Sequence, residues 1–245
     1  SRLISMASAP STLHIYRRDI DASERTSLTV LATHIGLGAR VLDLGCGSGA
    51  LGRFLRMEGS SLIIDGLTIS PEEAALAAPH YRRVEVADLE SCDLAALFAP
   101  GSYDAIVCAD VLEHIRHPEQ VLRACRLLLA EGGRVLLSIP NTGYAGLIAE
   151  LMTGEFRYRP EGLLDETHLR FFTCQTLTRF LAAEHWAVEE IQTVTRPLPD
   201  SEFRVAFDAL PPAVARHLLA LPDALSYQFI VRCRPAAPDE AIAPP

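Results

Sequence analysis

The chain has 245 residues, of which 49% are apolar and 22% charged, a composition typical of a globular protein of one or two domains. Its 31 acidic and 22 basic side chains give a net charge of −9, so the molecule as a whole exerts no general attraction on nucleic acid or anionic lipid. All 22 basic residues are arginine, which excludes lysine chemistry such as Schiff-base formation or a P-loop phosphate site.

Apolar runs of strand length alternate with amphipathic segments of helix length, a pattern that predicts βαβ units and a parallel sheet. Ser70 and Pro71, followed by two acids, begin a helix well, because serine caps the first turn and the acids favour its positive end. The predicted strands are 41–44, 61–67, 83–86, 103–108, 134–139, 187–194 and 227–232; the predicted helices are 50–57, one from 71 onward, 118–129, 144–152 and 173–184.

Three segments depart from this rhythm. Residues 153–173 are polar and aromatic without a clear period, and residues 197–222 carry five prolines and a short helical pattern, so we interpret them as an insertion. Residues 235–245 are rich in proline and alanine, which predicts a disordered tail.

The six cysteines contain no CxxC or zinc-knuckle spacing, and several lie in apolar runs, so we expect buried thiols in a reducing compartment. No apolar run reaches the roughly 18 residues of a membrane span, and the N-terminus lacks a signal-peptide core. We therefore expect a cytoplasmic protein. The sequence does not begin with methionine, which is compatible with a piece of a longer polypeptide.

The strongest motif is VLDLGCGSG at residues 41–49, where a buried strand runs into Gly45, Gly47 and Gly49 and a helix follows. Glycine permits positive φ and lets a ligand approach the backbone without an intervening Cβ. A turn of this kind, at the carboxyl end of a strand beside the switch point of a parallel sheet, favours a nucleotide-like ligand. Its spacing differs from the GxGxxG of dinucleotide-binding proteins, which disfavours a nicotinamide oxidoreductase.

From this motif to about residue 194 the sequence resembles the class I S-adenosylmethionine-dependent methyltransferases. The resemblance implies an α/β, Rossmann-like fold: a seven-stranded, mostly parallel sheet with an antiparallel last hairpin and helices on both faces. It also implies one domain over residues 1–234, with a core at about 41–194 and a substrate-facing cover at about 144–173 plus the insertion 197–222. The implied cofactor is S-adenosyl-L-methionine, released as S-adenosyl-L-homocysteine.

The resemblance also implies which residues bind the cofactor. The glycine turn with Cys46 would pass beneath the methionine part, and Asp43 would reach the amino-acid moiety; the alternative for Asp43 is a turn-capping carboxylate. Thr68, followed by Ile69, occupies the place where the family usually has an acid that binds both ribose hydroxyls. Threonine offers one hydroxyl oxygen where a carboxylate offers two acceptor oxygens, so either the ribose is held more weakly, or Asp65 or a neighbouring group compensates.

Two further segments complete the implied cofactor site. Asp88, followed by Leu89, comes after the third strand, where the family places an acid that accepts the adenine amino group; a solvated loop acid is the alternative. Ala109 and Asp110 end the fourth strand, in a segment that edges the cofactor and faces the substrate.

Beyond that strand, Glu113 and His114 can point into the same cleft. Together with Asp110 and the later His168 they also resemble the magnesium ligands of methyltransferases that modify the terminal 2′-hydroxyl of small RNAs. A Leu-Glu-His step here is nevertheless widespread among small-molecule methyltransferases without metal. An orienting or structural role is therefore favoured, and we predict no metal.

A narrower resemblance rests on SIPN at 138–141 and GLLDETHLRFFT at 162–173. These residues are similar to a bacterial subgroup associated with glycosyltransferases and with polysaccharide or secondary-metabolite pathways. His168, whose ordinary pKa is about 6.5, is the candidate general base. The alternative is a packed histidine that orders the loop through Asp165 or Arg170.

We therefore expect O-methylation of a sugar or small hydroxylated metabolite. The candidate catalytic residues are His168 and His114, and the candidate acceptor-binding residues are Tyr16, Glu113, Tyr144 and Arg170. The rival functions are a metal-dependent RNA 2′-O-methyltransferase, disfavoured by the acidic charge, and a non-catalytic cofactor-binding module, kept open by Thr68. We expect no nucleic-acid or membrane partner; a homodimer or a larger biosynthetic polypeptide is compatible with the sequence.

Overall fold

The computed structural model describes residues 25–59, 61–238 and 240, which form a seven-stranded sheet with helices packed against it. In chain order the strands are β1 (Arg40–Leu44), β2 (Ile63–Thr68), β3 (Arg83–Val86), β4 (Tyr103–Ala109), β5 (Leu129–Pro140), β6 (Trp186–Thr195) and β7 (Ser226–Pro235). Across the sheet they lie in the order β3-β2-β1-β4-β5-β7-β6.

Helices precede or connect these strands throughout the described part of the chain. They are α1 (Ser27–Thr33), α2 (Ala50–Met57), α3 (Pro71–Ala77), α4 (Leu94–Leu97), α5 (Pro118–Leu128), α6 (Ala145–Met152), α7 (Cys174–Ala183), α8 (Arg204–Asp208) and α9 (Pro212–Leu219). Single 3-10 turns occupy Ala78–His80, Leu112–His114 and Leu198–Asp200.

The order of the strands creates one switch point. β1 pairs in parallel with both β2 and β4, so the chain builds outward through β2 and β3 and then returns to the other side of β1. The loops that follow β1 and β4 therefore diverge and leave a crevice at their carboxyl ends. β7 runs antiparallel between β5 and β6, which confirms the predicted fold class.

Both faces of the sheet are buried. Val41, Leu42 and Leu44 of β1 have no exposed surface, as expected for a parallel strand covered on both sides. Successive residues of β7, Phe229 and Ile230, belong to two different hydrophobic clusters, because side chains alternate along a strand.

The segment between β6 and β7 packs on α6 beside the carboxyl end of the sheet. A Cβ on Gly146 of α6 would lie 2.7 Å from Cβ of Phe203, so the absence of a side chain permits this close contact. Residues 197–222, predicted as an insertion with one short helical pattern, in fact contain α8 and α9. The domain limits proposed from the sequence stay a prediction.

Other boundaries differ from the prediction at particular places. β5 begins at Leu129 instead of residue 134, because Leu129 pairs with Tyr103 before a register shift, and the glycines at 132 and 133 lie inside the strand. α4 was not predicted. β7 extends to Pro235, and Arg234 forms an ion pair with Glu240. Residues 239 and 241–245 lie outside the described residues, and disorder of the tail stays a prediction.

In the described part of the chain, no helix combines the length and apolarity needed to cross a membrane. All six cysteines are free thiols, and four of them are buried as predicted.

Asp65 links β2 to the first residue of β4 and to the residue that precedes β3. Its side chain is fully buried, its Oδ2 accepts a hydrogen bond from the Tyr103 hydroxyl at 2.6 Å, and its Oδ1 accepts one from Nε of Arg82 at 2.9 Å. Burial alone would raise the pKa of Asp65, but the bonds from Arg82 and Tyr103 hold it below its ordinary value of 3.8. This carboxylate lies opposite Leu42 in the register, before the end of β2, and its oxygens are engaged in the sheet.

We expect Asp65→Asn to lower the free energy of unfolding by about 1–3 kcal/mol, because the amide is a weaker acceptor for a buried hydroxyl and a guanidinium. Urea denaturation measures the change. Asp104→Asn is the matched control: Asp104 pairs with Arg40 where both side chains are nearly half exposed, so its loss costs less than about 1 kcal/mol. Equal losses in the two variants would contradict this role for Asp65.

Candidate active site

The glycine turn lies at the switch point, between β1 and α2. Gly45, Gly47 and Gly49 all have positive φ, at 76°, 52° and 84°, which explains the alternating spacing. The N–H groups of Gly45 and Cys46 both donate to the carbonyl of Leu67 on β2, at 2.8 and 2.9 Å. The turn is therefore held against the end of the neighbouring strand.

Neighbouring atoms leave no room for a side chain at Gly45 or Gly49. A Cβ on Gly45 would lie 2.5 Å from Cγ2 of Val111, and one on Gly49 would lie 2.7 Å from the Cα of Ala77. At Gly47 the nearest atom to such a Cβ is Oε1 of Glu73, at 3.8 Å. The turn thus packs tightly at its two ends and leaves room at its centre, a shape that fits the cofactor implied by the sequence.

Asp43 is fixed from beneath the turn. It is buried, and its Oδ2 accepts a hydrogen bond from the Tyr81 hydroxyl at 2.6 Å; the same hydroxyl accepts one from the Gly52 N–H at 3.1 Å. Burial raises the pKa of Asp43 to about 6, and the bond from Tyr81 opposes that shift. Tyr81 was not predicted as a site residue, because 38 positions separate it from Asp43 along the chain.

A carboxylate does lie beside Thr68, but it comes from α3. The Thr68 hydroxyl donates to Oε2 of Glu73 at 2.8 Å, and only 7% of Glu73 is exposed. Ser70 accepts the Glu73 N–H at 3.2 Å, so the Ser-x-x-Glu pattern caps the helix through serine while the glutamate side chain turns toward β2. The Ser-x-x-Glu pattern was visible in the sequence, but we interpreted it only as the start of a helix and not as a source of a carboxylate for the site.

The remaining predicted cofactor residues differ in exposure. Ile69 is half-exposed directly after β2. Asp88 is exposed, and its Oδ1 accepts the Glu90 N–H at 2.9 Å, a turn-capping bond. Leu89 is partly buried against the main hydrophobic cluster. A cofactor role for these three residues stays a prediction.

The end of β4 is shaped by its last residue, Ala109, and by Asp110 directly after it. Asp110 has a φ of +54°, an uncommon conformation for a residue with a side chain. Its Oδ1 accepts hydrogen bonds from the Ser138 hydroxyl at 2.9 Å and from Nε2 of Gln228 at 2.6 Å. Side chains from β5 and β7 therefore hold this turn of the chain at the crevice.

The structure brings the two candidate catalytic histidines together. His114 lies on the 3-10 turn Leu112–His114, and His168 lies on the loop after α6; their ring centroids are 4.7 Å apart in an edge-to-face arrangement. The loop is attached because the N–H groups of Leu169 and Arg170 donate to the carbonyl of Glu113, at 2.7 and 2.9 Å. Burial lowers the pKa of both imidazoles below 6.5, which favours their neutral forms.

Each ring has a defined hydrogen-bond partner at Nδ1. Nδ1 of His114 lies 2.9 Å from the Thr167 hydroxyl oxygen, and that hydroxyl lies 2.6 Å from Oδ1 of Asp165. Nδ1 of His168 lies 3.1 Å from the carbonyl oxygen of Leu163. Thr167 was not predicted as a site residue, although it stands between Asp165 and His168 in the motif.

Glu113, His114 and His168 form the one group of three potential metal ligands found among the described residues. One ligand atom from each side chain lies within 4.8 Å of the others. Glu113 itself is almost fully buried. Two imidazoles and a carboxylate are a donor set that transition metals accept, and the prediction of no metal stays a prediction.

The candidate acceptor residues are divided between different environments. Tyr144 has no exposed surface and donates its hydroxyl proton to the carbonyl of Arg196 at 2.8 Å, within the cluster under α8. Arg170 is exposed and donates to the carbonyl of Arg116. Tyr16 lies outside the described residues. The structure thus places Glu113 beside the histidine pair and buries Tyr144 in a hydrophobic cluster.

Comparison with known proteins agrees with this geometry. The family model described as a methyltransferase domain matches residues 16–191. Over 165 residues the chain is 30% identical to the ubiquinone biosynthesis O-methyltransferase of Dechloromonas aromatica, a match that covers 63% of this chain and 67% of that relative. The matched region therefore spans about two thirds of the relative's length.

Solved structures share the fold at lower identity. An S-adenosylmethionine-dependent methyltransferase from Mesorhizobium loti aligns with a TM-score of 0.56 at 18% identity, covering 85% of this chain and 98% of that one. The 1,6-didemethyltoxoflavin-N1-methyltransferase of Burkholderia thailandensis, solved with 1,6-didemethyltoxoflavin and S-adenosylhomocysteine, aligns with a TM-score of 0.55 at 18% identity, covering 86% and 77%.

We expect Gly45→Ala to destabilise the protein by about 2–4 kcal/mol, because alanine is strained at positive φ and its Cβ would displace Val111. Gly101→Ala separates the two effects. Gly101 also has positive φ, but a Cβ added there would meet no atom within 4 Å, so only about 1–2 kcal/mol is lost. Urea denaturation measures both variants. An equal loss would mean that the contact with Val111 contributes nothing.

Proposed function

The chain belongs to the class I S-adenosylmethionine-dependent methyltransferases, and from this premise we propose that it methylates a hydroxyl group of a small molecule. The observation that carries the proposal is the edge-to-face pair of imidazoles of His114 and His168, beyond the end of β4, the strand next to β1. Burial lowers the pKa of both rings, which favours the neutral form that a base needs. A hydroxyl acceptor gains from a neighbouring base, whereas an unprotonated amine needs less help.

The residues of the chain divide between holding the cofactor and preparing the acceptor. When bound, S-adenosyl-L-methionine supplies an electrophilic methyl group whose sulfur leaves without protonation. The glycine turn, Cys46 and Asp43 would hold the methionine part, and Ala109 and Asp110 would border it. Alignment of the acceptor in the crevice contributes much of the acceleration, and a histidine removes the hydroxyl proton.

The acceptor is a small hydroxylated molecule. The name of the Dechloromonas relative, an O-methyltransferase of ubiquinone biosynthesis, supports oxygen as the acceptor atom, and the toxoflavin-type ligand of the Burkholderia neighbour supports a small molecule. Within this class we include sugars, on the strength of the resemblance of residues 138–141 and 162–173 to the glycosyltransferase-associated subgroup. The net charge of −9 opposes a nucleic-acid acceptor.

The proposed function is tested with a panel of acceptors and methyl-labelled S-adenosyl-L-methionine. We expect calorimetry to detect binding of S-adenosyl-L-homocysteine, and label to be transferred to phenols, catechols or sugar hydroxyls and not to amine analogues of the same compounds. His114→Asn and His168→Asn lower kcat about 10²- to 10⁴-fold on an active acceptor if a histidine is the base. His117→Asn is the control, since His117 is an exposed loop residue paired with Glu119. No binding of either cofactor form would overturn the proposal.

A metal-dependent version of the reaction is the second candidate, because Glu113, His114 and His168 are grouped closely enough to bind a cation. Such a cation would polarise the acceptor oxygen in place of a base. A chelator decides between the two: activity that is lost on chelation and restored by Mn²⁺ supports the metal, whereas unchanged activity leaves the histidine base.

We further assign ribose binding to Glu73. Its carboxylate reaches the end of β2 through the bond from Thr68, and its Oε1 is the atom nearest to the open centre of the glycine turn. Asp65 cannot take this part, because its oxygens bond to Arg82 and Tyr103 inside the sheet. A carboxylate accepts two hydroxyl groups at once, and Thr68 orients it.

We expect Glu73→Gln to weaken binding of S-adenosyl-L-homocysteine about 10- to 100-fold in calorimetry, since charge-assisted acceptors are replaced by an amide. Glu72→Gln, one position earlier, is the matched control and leaves affinity unchanged, because Glu72 is exposed and its carboxylate bonds to Ser70 at the helix start. An analogue without the two ribose hydroxyls should bind wild type and Glu73→Gln equally well. A large difference between them for this analogue would contradict the ribose contact.

A further inference from the structure

We propose that Thr167 is a positioning residue that, with Asp165, fixes His114 as the tautomer protonated at Nδ1, so that Nε2 of His114 carries the lone pair that removes the acceptor proton. The tautomer stands on the hydrogen-bond geometry alone, whereas its use in methyl transfer rests on the proposed function. From the sequence we favoured His168 as the base and predicted no role for Thr167.

Asp165 determines where the hydroxyl proton of Thr167 lies. Its side chain is buried, and its Oδ1 receives both the backbone N–H of Thr167 at 2.8 Å and the Thr167 hydroxyl at 2.6 Å. The hydroxyl is the donor in this bond, so its single proton lies between Thr167 and Asp165.

The direction of the next bond follows from that proton. The Thr167 oxygen has no second hydrogen to donate, and it lies 2.9 Å from Nδ1 of His114. It must therefore accept, which places a proton on Nδ1. In the opposite arrangement Thr167 would donate to His114, and two oxygen acceptors 2.6 Å apart would face each other without a proton. A neutral imidazole carries one N–H, so Nε2 of His114 is unprotonated.

The neighbouring histidine has the same tautomer for a different reason. Nδ1 of His168 lies 3.1 Å from the carbonyl oxygen of Leu163, a group that can only accept, so this Nδ1 also carries the proton. His168 is the less exposed of the two residues and packs edge-to-face against His114. Its ring thereby restricts the orientation of His114.

The two rings differ in what lies behind them. Nδ1 of His168 faces a carbonyl, whereas Nδ1 of His114 is connected to the carboxylate of Asp165 through the Thr167 hydroxyl. The charge of Asp165 also acts on His168, but without such a hydrogen-bond connection. An anion stabilises the imidazolium that forms when a histidine takes a proton, in the way that a buried aspartate supports a catalytic histidine directly. The arrangement therefore assigns the base to His114 and inserts a hydroxyl between base and carboxylate.

Methyl transfer to the acceptor is then an in-line displacement coupled to proton transfer to His114. The acceptor oxygen forms a bond to the methyl carbon, the carbon–sulfur bond breaks, and its electron pair remains on sulfur as a neutral thioether. The acceptor proton moves to Nε2 of His114, whose Nδ1–H continues to donate to Thr167. The imidazolium later releases that proton to water.

The tautomer is measured directly by long-range ¹H–¹⁵N correlation spectra of the full chain with ¹⁵N-labelled histidine, at a pH of about 8 where imidazoles are neutral. The signals of His114 are identified by their loss in His114→Asn. We expect a protonated Nδ1 and an unprotonated Nε2 in wild type, a mixture of both tautomers in Thr167→Val, and the wild-type pattern in Thr167→Ser. Thr178→Val is the matched control, since the Thr178 hydroxyl bonds to the backbone of its own helix.

Turnover is measured with the same variants on an acceptor from the panel. Thr167→Val lowers kcat about 10- to 100-fold with little change in the KM of S-adenosyl-L-methionine, Thr167→Ser restores most of it, and Thr178→Val has no effect. A wild-type His114 protonated at Nε2, or a Thr167→Val variant with unchanged tautomer and kcat, overturns the proposal. If no acceptor is methylated, the proposed function fails, and the spectra still support or overturn the tautomer.

Discussion

Two N–H groups that converge on one carbonyl fix the site of this protein. Gly45 and Cys46 donate to Leu67, and this attachment sets the end of β1 against the end of β2. It is possible only because the glycine turn has positive φ where side chains would strain it. The backbone position of the glycine turn also determines the surroundings of three side chains. Asp43 lies under the turn, Glu73 lies across from it, and Val111 packs against Gly45.

Most of the fold could be predicted because the information is local. Alternating apolar runs identified the strands, and Ser70 and Thr173 identified helix starts through their own caps. The predicted start of β5 was wrong because Gly132 and Gly133 indicated a turn. In the structure, residues on both sides of these glycines pair with β4, so the glycines belong to the strand. Tertiary pairing there overrides local preference.

The candidate site was predictable only in part. The glycine turn and the histidines belong to recognisable sequence motifs. A contact between residues far apart in the chain produces no such motif. Tyr81 supports Asp43 from just before β3, and Gln228 reaches Asp110 across 118 positions. Glu73 and Thr167 lie within or beside the motifs recognised in the sequence. Their roles nevertheless depend on hydrogen bonds that only the folded structure shows.

The place of β7 in the sheet has a consequence for the order of assembly. β5 and β6 precede β7 in the chain, but β7 lies between them and pairs with both. During synthesis β6 is therefore made before β7, the strand that lies between β6 and β5 in the sheet. Gln228 of β7 also completes the hydrogen bonds around Asp110. The hydrogen bond that Gln228 donates to Asp110 at the crevice can therefore form only after β7, the last strand of the chain, has been made.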